Sequence, residues 1–224
     1  MNEVRNGHAE LEGEDAKHLT RVLRVETGQR YEISDNRNVY LAEIELARKE
    51  RVVFRAIEKL ESPAPGRRLT LCAALIKFDR LEWMIEKATE LGVSEIIPVE
   101  TVRSERGLER AALKRVDRWR RIALEASQQS RRAFLPDVRE PVTLEATLAL
   151  PIGRRYVLDE NPGGDRLTPT SEDSAILIGP EGGWTDSERQ QFAPAGWTPV
   201  SLGPLILRAE TAAIAALAIL SSLN

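Results

Sequence analysis

The chain has one cysteine, two histidines, and aromatic residues at only 5% of its 224 positions. A single cysteine excludes an internal disulfide, and Cys72 lies in the apolar run "LTLCAALI", which marks it as a core residue. Two histidines leave too few ligands for a metal site of the zinc type, so no metal is expected. No apolar run reaches the roughly 18 residues that span a bilayer. The nearest, "TAAIAALAILSSL" from Thr211 to Leu223, is short and alanine-rich and reads as a packed helix. The start carries no leader-like pattern, and a reduced, cytoplasmic setting is expected. Positive charge is not in excess either: 32 Lys and Arg stand against 35 Asp and Glu, a net charge of -3. The whole chain is therefore not marked as a nucleic-acid binder. What is present is 42% hydrophobic and 30% charged residues, enough for an ordinary core and a well-solvated surface in one or two domains.

The pattern changes across "ESPAPGRR", Glu61 to Arg68. Before it stand short alternating segments, "YEIS", "VYLAEIEL" and "RVVFRAI", the first two separated by the turn-like cluster Asp35 to Asn38. They predict a small β-barrel or sheet over residues 1–62, with a short helix near Asp15 to Arg24. After it, over residues 67–224, strand and helix patterns alternate. "LTLCAALI", "EIIPV", "RYVLDE", "AILIG" and "WTPVSL" read as strands. "DRLEWMIEKATELG" reads as a helix opened by Asp79 and Glu82 and closed by Gly92, and a long helix is expected from Glu109 to Ser130. The fold class is α/β with a mainly parallel sheet.

One stretch concentrates unusual chemistry. In "AILIGPEGGWTDSE" a buried strand ends at Ile178 and runs through Gly179, Pro180, Glu181, Gly182 and Gly183 into a helix. Thr185 and Glu188 have the spacing of a capping box. The turn lacks the Gly-Lys-Ser/Thr of a P-loop and the G-x-G-x-x-G of a dinucleotide site, and Glu181 would repel phosphate. It suits a ligand that is neutral or positive near the loop. The bland alternative is a tight turn and nothing more. "SLGPLILRAETAA" repeats the logic: a strand end, Gly203-Pro204, an apolar stretch and a helix. Two such strand ends could bracket one pocket, walled by Leu202, Leu205, Ile206 and Leu207 and suited to a flat apolar group such as an adenine.

At "IGPEGGW", "LGPLILRAETA", "EKATELGV" and "ALEASQQSRRAFLP" the sequence resembles the 16S rRNA uracil-N3 methyltransferase family, RsmE, of the SPOUT superfamily. "HLTRVLRVETGQ" resembles the family's N-terminal PUA-like RNA-binding barrel. The resemblance implies an S-adenosylmethionine-dependent enzyme that acts as a homodimer on 16S rRNA, within the 30S subunit, with a trefoil knot near the C-terminus of its SPOUT domain. The knot would place three loops around the cofactor, bringing Leu158, Ile178, Gly179, Pro180, Gly182, Leu202, Gly203, Leu205, Ile206 and Leu207 to it. In one place the chain departs from the family. Members open with a basic-aromatic first strand, whereas "MNEVRNGHAE" has no aromatic residue, so RNA contacts are not carried over to the first ten residues.

Between Arg103 and Arg132, ten Lys and Arg outnumber four Asp and Glu. This basic zone is a candidate footprint for RNA phosphate, with Arg103, Arg131 and Arg132 its leading members; the helix body itself reads as a solvated face. In the first part Lys17, Arg21 and Arg24 fall on one helix face beside His18, a second candidate contact. Trp83 and Trp119 read as packing residues. For catalysis, Arg208 would steady a uracil oxygen or a phosphate, and Glu210 would accept a proton or orient Arg208. The alternative is a structural pair at a helix start. Two other functions stay open: a SPOUT methyltransferase for a ribose 2'-oxygen or for tRNA, and a non-catalytic RNA-binding ribosome-assembly protein.

Overall fold

A computed structural model describes residues 4–61, 66–104, 107–160 and 165–222. Residues 62–65, in the middle of the Pro/Gly stretch, lie outside them. The chain divides into two compact units, Met1–Ala64 and Pro65–Asn224.

The first unit is built from β1 (His8–Glu12), α1 (Gly13–Arg21), β2 (Arg30–Ser34), β3 (Val39–Arg48) and β4 (Arg51–Leu60). The strands form an antiparallel sheet in the order β1-β4-β3-β2. Closure of that sheet into a barrel is not among the described pairings. The first strand exists without the family's aromatics: β1 pairs along β4, with Ala9 opposite Phe54. Ala9, Ala16, Ile33, Ile44, Val52 and Phe54 are among the residues of its core. Between β2 and β3 the Asp35 carboxylate accepts the amides of Arg37 at 3.0 Å and Asn38 at 2.7 Å, an Asx turn that sets the hairpin. The helix ends earlier than its charge pattern suggested. Val22 N and Leu23 N both bond to His18 O, and Arg24 lies beyond the end in a left-handed conformation, φ 52°. Arg24 therefore does not continue the face that Lys17 and Arg21 share.

The second unit runs β5 (Leu69–Ala74), α2 (Phe78–Glu90), β6 (Glu95–Glu100), α3 (Leu108–Leu113), α4 (Val116–Gln129), β7 (Asp137–Val138), β8 (Val142–Thr143), α5 (Leu144–Leu148), β9 (Arg154–Leu158), β10 (Asp165–Arg166), β11 (Ser174–Ile178), α6 (Asp186–Phe192), β12 (Thr198–Ser201) and α7 (Ala209–Ser221). Its parallel sheet has the order β10-β12-β9-β11-β5-β6-β7, with β8 also on β6. Every residue of β5 and of β11 is buried, as expected for strands covered on both faces. Alternation sorts them: Ile176 and Ile178 pack with α2, α4 and α7, while Ala175 and Leu177 pack with Trp184, Phe192 and Trp197. Cys72 is fully buried, and burial pushes its thiol far above the ordinary range.

Several local expectations change. Lys77 is the N-cap of α2 and makes no side-chain cap bond, so Asp79 and Glu82 do not cap it. Glu82 instead accepts hydrogen bonds from Arg118 and Arg115 at 2.8 and 3.0 Å. Those bonds, Arg118's foremost, hold its carboxyl below the usual range. The expected long helix breaks at Lys114-Arg115 into α3 and α4. Arg115 N turns back to Ala112 O, and the guanidinium lies 4.7 Å from the Phe78 ring while also binding Glu82. Trp119 is fully buried against the edge of Phe78, whereas Trp83 is 45% exposed. The pairings of β7, β8 and β10 span two residues each, too short to leave a period in the sequence.

Candidate active site

Strands β12, β9 and β11 are adjacent and parallel, so their C-terminal ends lie along one edge of the sheet. The three loops that leave them start from that edge, where open α/β sheets hold ligands. Leu158 is the last residue of β9, and Leu202 and Gly203 follow β12 directly.

The turn after β11 is the most heavily held. Gly183 N bonds to Pro180 O at 2.9 Å. A capping box closes the start of α6: Glu188 N reaches Thr185 Oγ1, and Glu188 Oε2 accepts Thr185 N and Oγ1, each at 2.8 Å. Glu188 is buried, and its Oε1 accepts Val102 N at 2.9 Å, which ties the loop after β6 to this turn. Three arginines grip the turn. Arg80 pairs with Glu181. Arg103 Nη1 donates to Gly182 O at 2.6 Å. Arg189 binds both oxygens of Asp159, with its Nε 3.0 Å from Oδ2, and donates from Nη1 to Trp184 O at 2.8 Å. The indole of Trp184 donates to Leu158 O at 2.8 Å, so the β9 and β11 loops are locked together. A Cβ on Gly179 would stand 2.9 Å from that indole, which explains glycine there.

The loop after β12 is different. Leu205 and Ile206 are 77% and 81% exposed, and Leu207 and Arg208 are exposed as well. Gly203 has φ 135°, a backbone state that side chains disfavour, and a Cβ there would stand 4.0 Å from Arg166 Nη2. Arg208 is the N-cap residue of α7 and gives its carbonyl to Ala212 N at 2.8 Å. Within the first turn, Glu210 Oε2 is buried and has no hydrogen-bond partner among the described residues.

A family model described as an RNA methyltransferase domain matches residues 62–221, and one described as an RNA methyltransferase PUA domain matches residues 11–57. Ribosomal RNA small subunit methyltransferase E of Synechocystis sp. is 36% identical over 220 residues, 92% of this chain and 70% of that protein. The Aquifex aeolicus protein of the same name is 30% identical over 213 residues, 93% of this chain and 91% of that one. The chain belongs to the ribosomal RNA small subunit methyltransferase E family. A crystal structure of the methyltransferase E from Neisseria gonorrhoeae bound to S-adenosyl methionine aligns with a TM-score of 0.88 at 28% identity, covering 100% of this chain and 95% of that one. A Legionella pneumophila methyltransferase with the same bound cofactor aligns at 0.84 and 30% identity, covering 100% and 94%.

Against the methyltransferase E reading, the basic candidates sort unevenly. Lys17 is paired with Glu14 at 2.8 Å, whereas His18, Arg21 and Arg24 are exposed, beside the exposed apolar residues Val22 and Leu23. Arg103 spends its Nη1 on the glycine turn. Arg131 is exposed and left-handed, φ 55°, just past α4. Arg132 turns inward and donates to Thr89 O and Val93 O at 2.8 Å each, and burial lowers its pKa. Its geometry is that of a clamp on the end of α2. Sequence reasoning passed over Arg80, Asp159, Trp184 and Arg189. The signal was faint: an Asp directly after the β9 run and a Trp directly after the glycines. Among the described residues no group of three or more metal-ligating side chains forms, and no helix is long and apolar enough to cross a membrane.

Proposed function

We propose that the chain is an S-adenosylmethionine-dependent methyltransferase that methylates N3 of a uridine in 16S rRNA, in the cytoplasm, on the 30S subunit and as a homodimer. The observation that carries the reading is that three strand-end loops leave one sheet edge, one of them braced and one with exposed apolar side chains. The residues fit the cofactor. Exposed Leu205 and Ile206 suit an adenine face, and Leu158, Ile178, Gly179, Pro180, Gly182, Leu202, Gly203 and Leu207 lie on the same three loops. The strand order also suits a knotted C-terminal segment, because the chain after β11 returns to lay β12 between β9 and β10. The apolar α7, with Ala212, Ala215 and Ala218 along it, suits a close contact between copies.

Bound S-adenosylmethionine supplies a methyl group already activated on a positive sulfonium. The remaining work falls to side chains of this chain. N3 of uracil carries a proton at neutral pH, and its loss places negative charge on the ring oxygens. Arg208, exposed at the head of α7, stabilises that charge, and the unpartnered oxygen of Glu210 accepts the proton. His18, Arg21 and Arg24 meet RNA phosphate from the first unit, with Lys17 beside them, and Arg131 meets it from the second.

The test is calorimetry with S-adenosylmethionine, together with mass mapping of 16S rRNA from cells lacking the protein. Saturable binding and one restored N3-methyluridine on complementation are expected. No heat at high ligand concentration favours a binding module, and a modified ribose or tRNA favours another target. Replacing Arg21 and Arg24 by Ala is expected to lower the salt slope of RNA binding by about one unit per lost phosphate contact.

A further inference from the structure

Helix α1 ends in a tip that shows apolar side chains to solvent among charged ones. Val22 and Leu23 are 64% and 56% exposed, between exposed Arg21 and Arg24. The exposure is built into the backbone. Val22 N and Leu23 N both bond to His18 O, at 2.9 and 3.3 Å, and Val25 N bonds back to Leu19 O at 3.2 Å. Thr20 Oγ1 donates to Ala16 O at 2.8 Å within the last turn. Leu19 packs on the core of the first unit and Val25 is buried in it, so both ends of the tip are anchored. The residues between them cannot turn inward without breaking those bonds. Arg24 completes the turn with φ 52°, a state for which helix ends ordinarily use glycine. The chain keeps a long cation there instead.

Charge and size narrow the occupant. From His18 to Glu26 the sequence holds two arginines and a histidine against one carboxylate, that of Glu26. The rim attracts an anion, and the centre attracts an apolar face. Two side chains of this kind offer on the order of 100–200 Å². That is far below the roughly 800 Å² that each partner of a stable protein pair buries. A nucleotide matches the tip: a flat base with an apolar face, joined to phosphate. Inside a paired helix those faces are stacked against one another. Only a nucleotide out of its stack presents base face and phosphate together.

Resting on the RNA-binding reading above, we infer that the α1 tip holds an unstacked nucleotide of the RNA. Val22 and Leu23 lie against the base, and Arg21 and Arg24 take the phosphates on either side. Every base has such a face, so the tip reads whether RNA is open and not which base it carries. Because the backbone bonds fix the tip beforehand, little ordering is lost on contact. The first unit thereby favours unpaired segments over continuous duplex, which phosphate contacts alone would not distinguish.

The experiment titrates the full-length protein with labelled oligouridylate and with a blunt RNA duplex of equal length, each over a range of salt. Val22→Ser combined with Leu23→Ser is expected to weaken oligouridylate binding about tenfold with the salt slope unchanged, and duplex binding by less than about twofold. Arg24→Gly, which suits the left-handed backbone, is expected to lower the slope by about one unit while oligouridylate stays preferred. The double serine variant should unfold at the wild-type temperature, as exposed positions allow; a lower temperature makes the pair structural and overturns the assignment. Wild-type affinity for oligouridylate in that variant overturns it too. So does an equal loss on both RNAs, which makes the tip a backbone contact, or a changed sedimentation coefficient, which makes it a contact between copies. If the wild-type protein binds both RNAs equally, the tip assignment alone falls. If it binds neither, the RNA-binding reading falls, and the tip with it.

Discussion

Two loops with nearly the same sequence grammar, Gly-Pro after a strand and a helix beyond, have opposite physical characters. The turn after β11 is braced by Arg80, Arg103 and Arg189, by a complete capping box and by an indole. The loop after β12 shows Leu205 and Ile206 to solvent. If the two loops form the proposed cofactor site, one half of it is fixed before a ligand arrives, so little ordering entropy is lost on binding there. The other half holds the apolar area that binding can bury. A site of this kind gains its geometry from the braced half and its affinity from the open one.

Mutations can separate these halves. Arg208→Ala, in the open loop, is expected to have the largest effect: a fall in single-turnover transfer of about 100- to 1,000-fold, with both affinities nearly unchanged. A wild-type rate removes its catalytic role. Gly179→Val, in the braced turn, drives a side chain into Trp184 and is expected to cost about 1–3 kcal/mol of stability together with cofactor affinity. Thermal unfolding and calorimetry should therefore move together. Arg189→Ala removes a partly buried pair with Asp159 and a bond to Trp184 O. A loss of about 1.5–3 kcal/mol is expected in the unfolding of the second unit, with a smaller loss of cofactor binding. The smallest effect on stability is reserved for Leu205→Ala and Ile206→Ala. Exposed as they are, they should leave stability within about 0.5 kcal/mol, yet weaken S-adenosylmethionine binding about five- to tenfold. If they destabilise the fold as Arg189→Ala does, the two loops are not different in kind.

Much of this was legible in the residues. The five long strand segments of the second unit, the capping box at Thr185 and Glu188, and the core position of Cys72 follow from local pattern, because each depends on neighbours in sequence. The braces did not follow. Arg80, Arg103 and Arg189 look like ordinary surface charges until tertiary structure brings Glu181, Gly182 O and Asp159 to them. Arg132 was misleading for the same reason: its adjacency to Arg131 suggested a shared basic tip, but one side chain faces out and the other binds the carbonyls of Thr89, in α2, and Val93, just after it. The break before α4 was hidden as well, since Lys114-Arg115 is a good helix-forming pair and only contacts with Phe78 and Glu82 bend the chain there.

The pairing of β5 with β11, Leu69 opposite Ser174, sets the order in which the enzyme can be made. In the first unit β2 pairs with β3 and β3 with β4, so these contacts form as soon as each hairpin is complete. Strand β5 gains its next strand, β6, on one side, but its other neighbour, β11, lies far along the chain. Synthesised early, with six apolar or small residues that all belong in the interior, it keeps one edge uncovered until Ser174–Ile178 has been translated. A nascent chain paused between those points carries a sticky strand with one open edge, a client for chaperones before it is a catalyst.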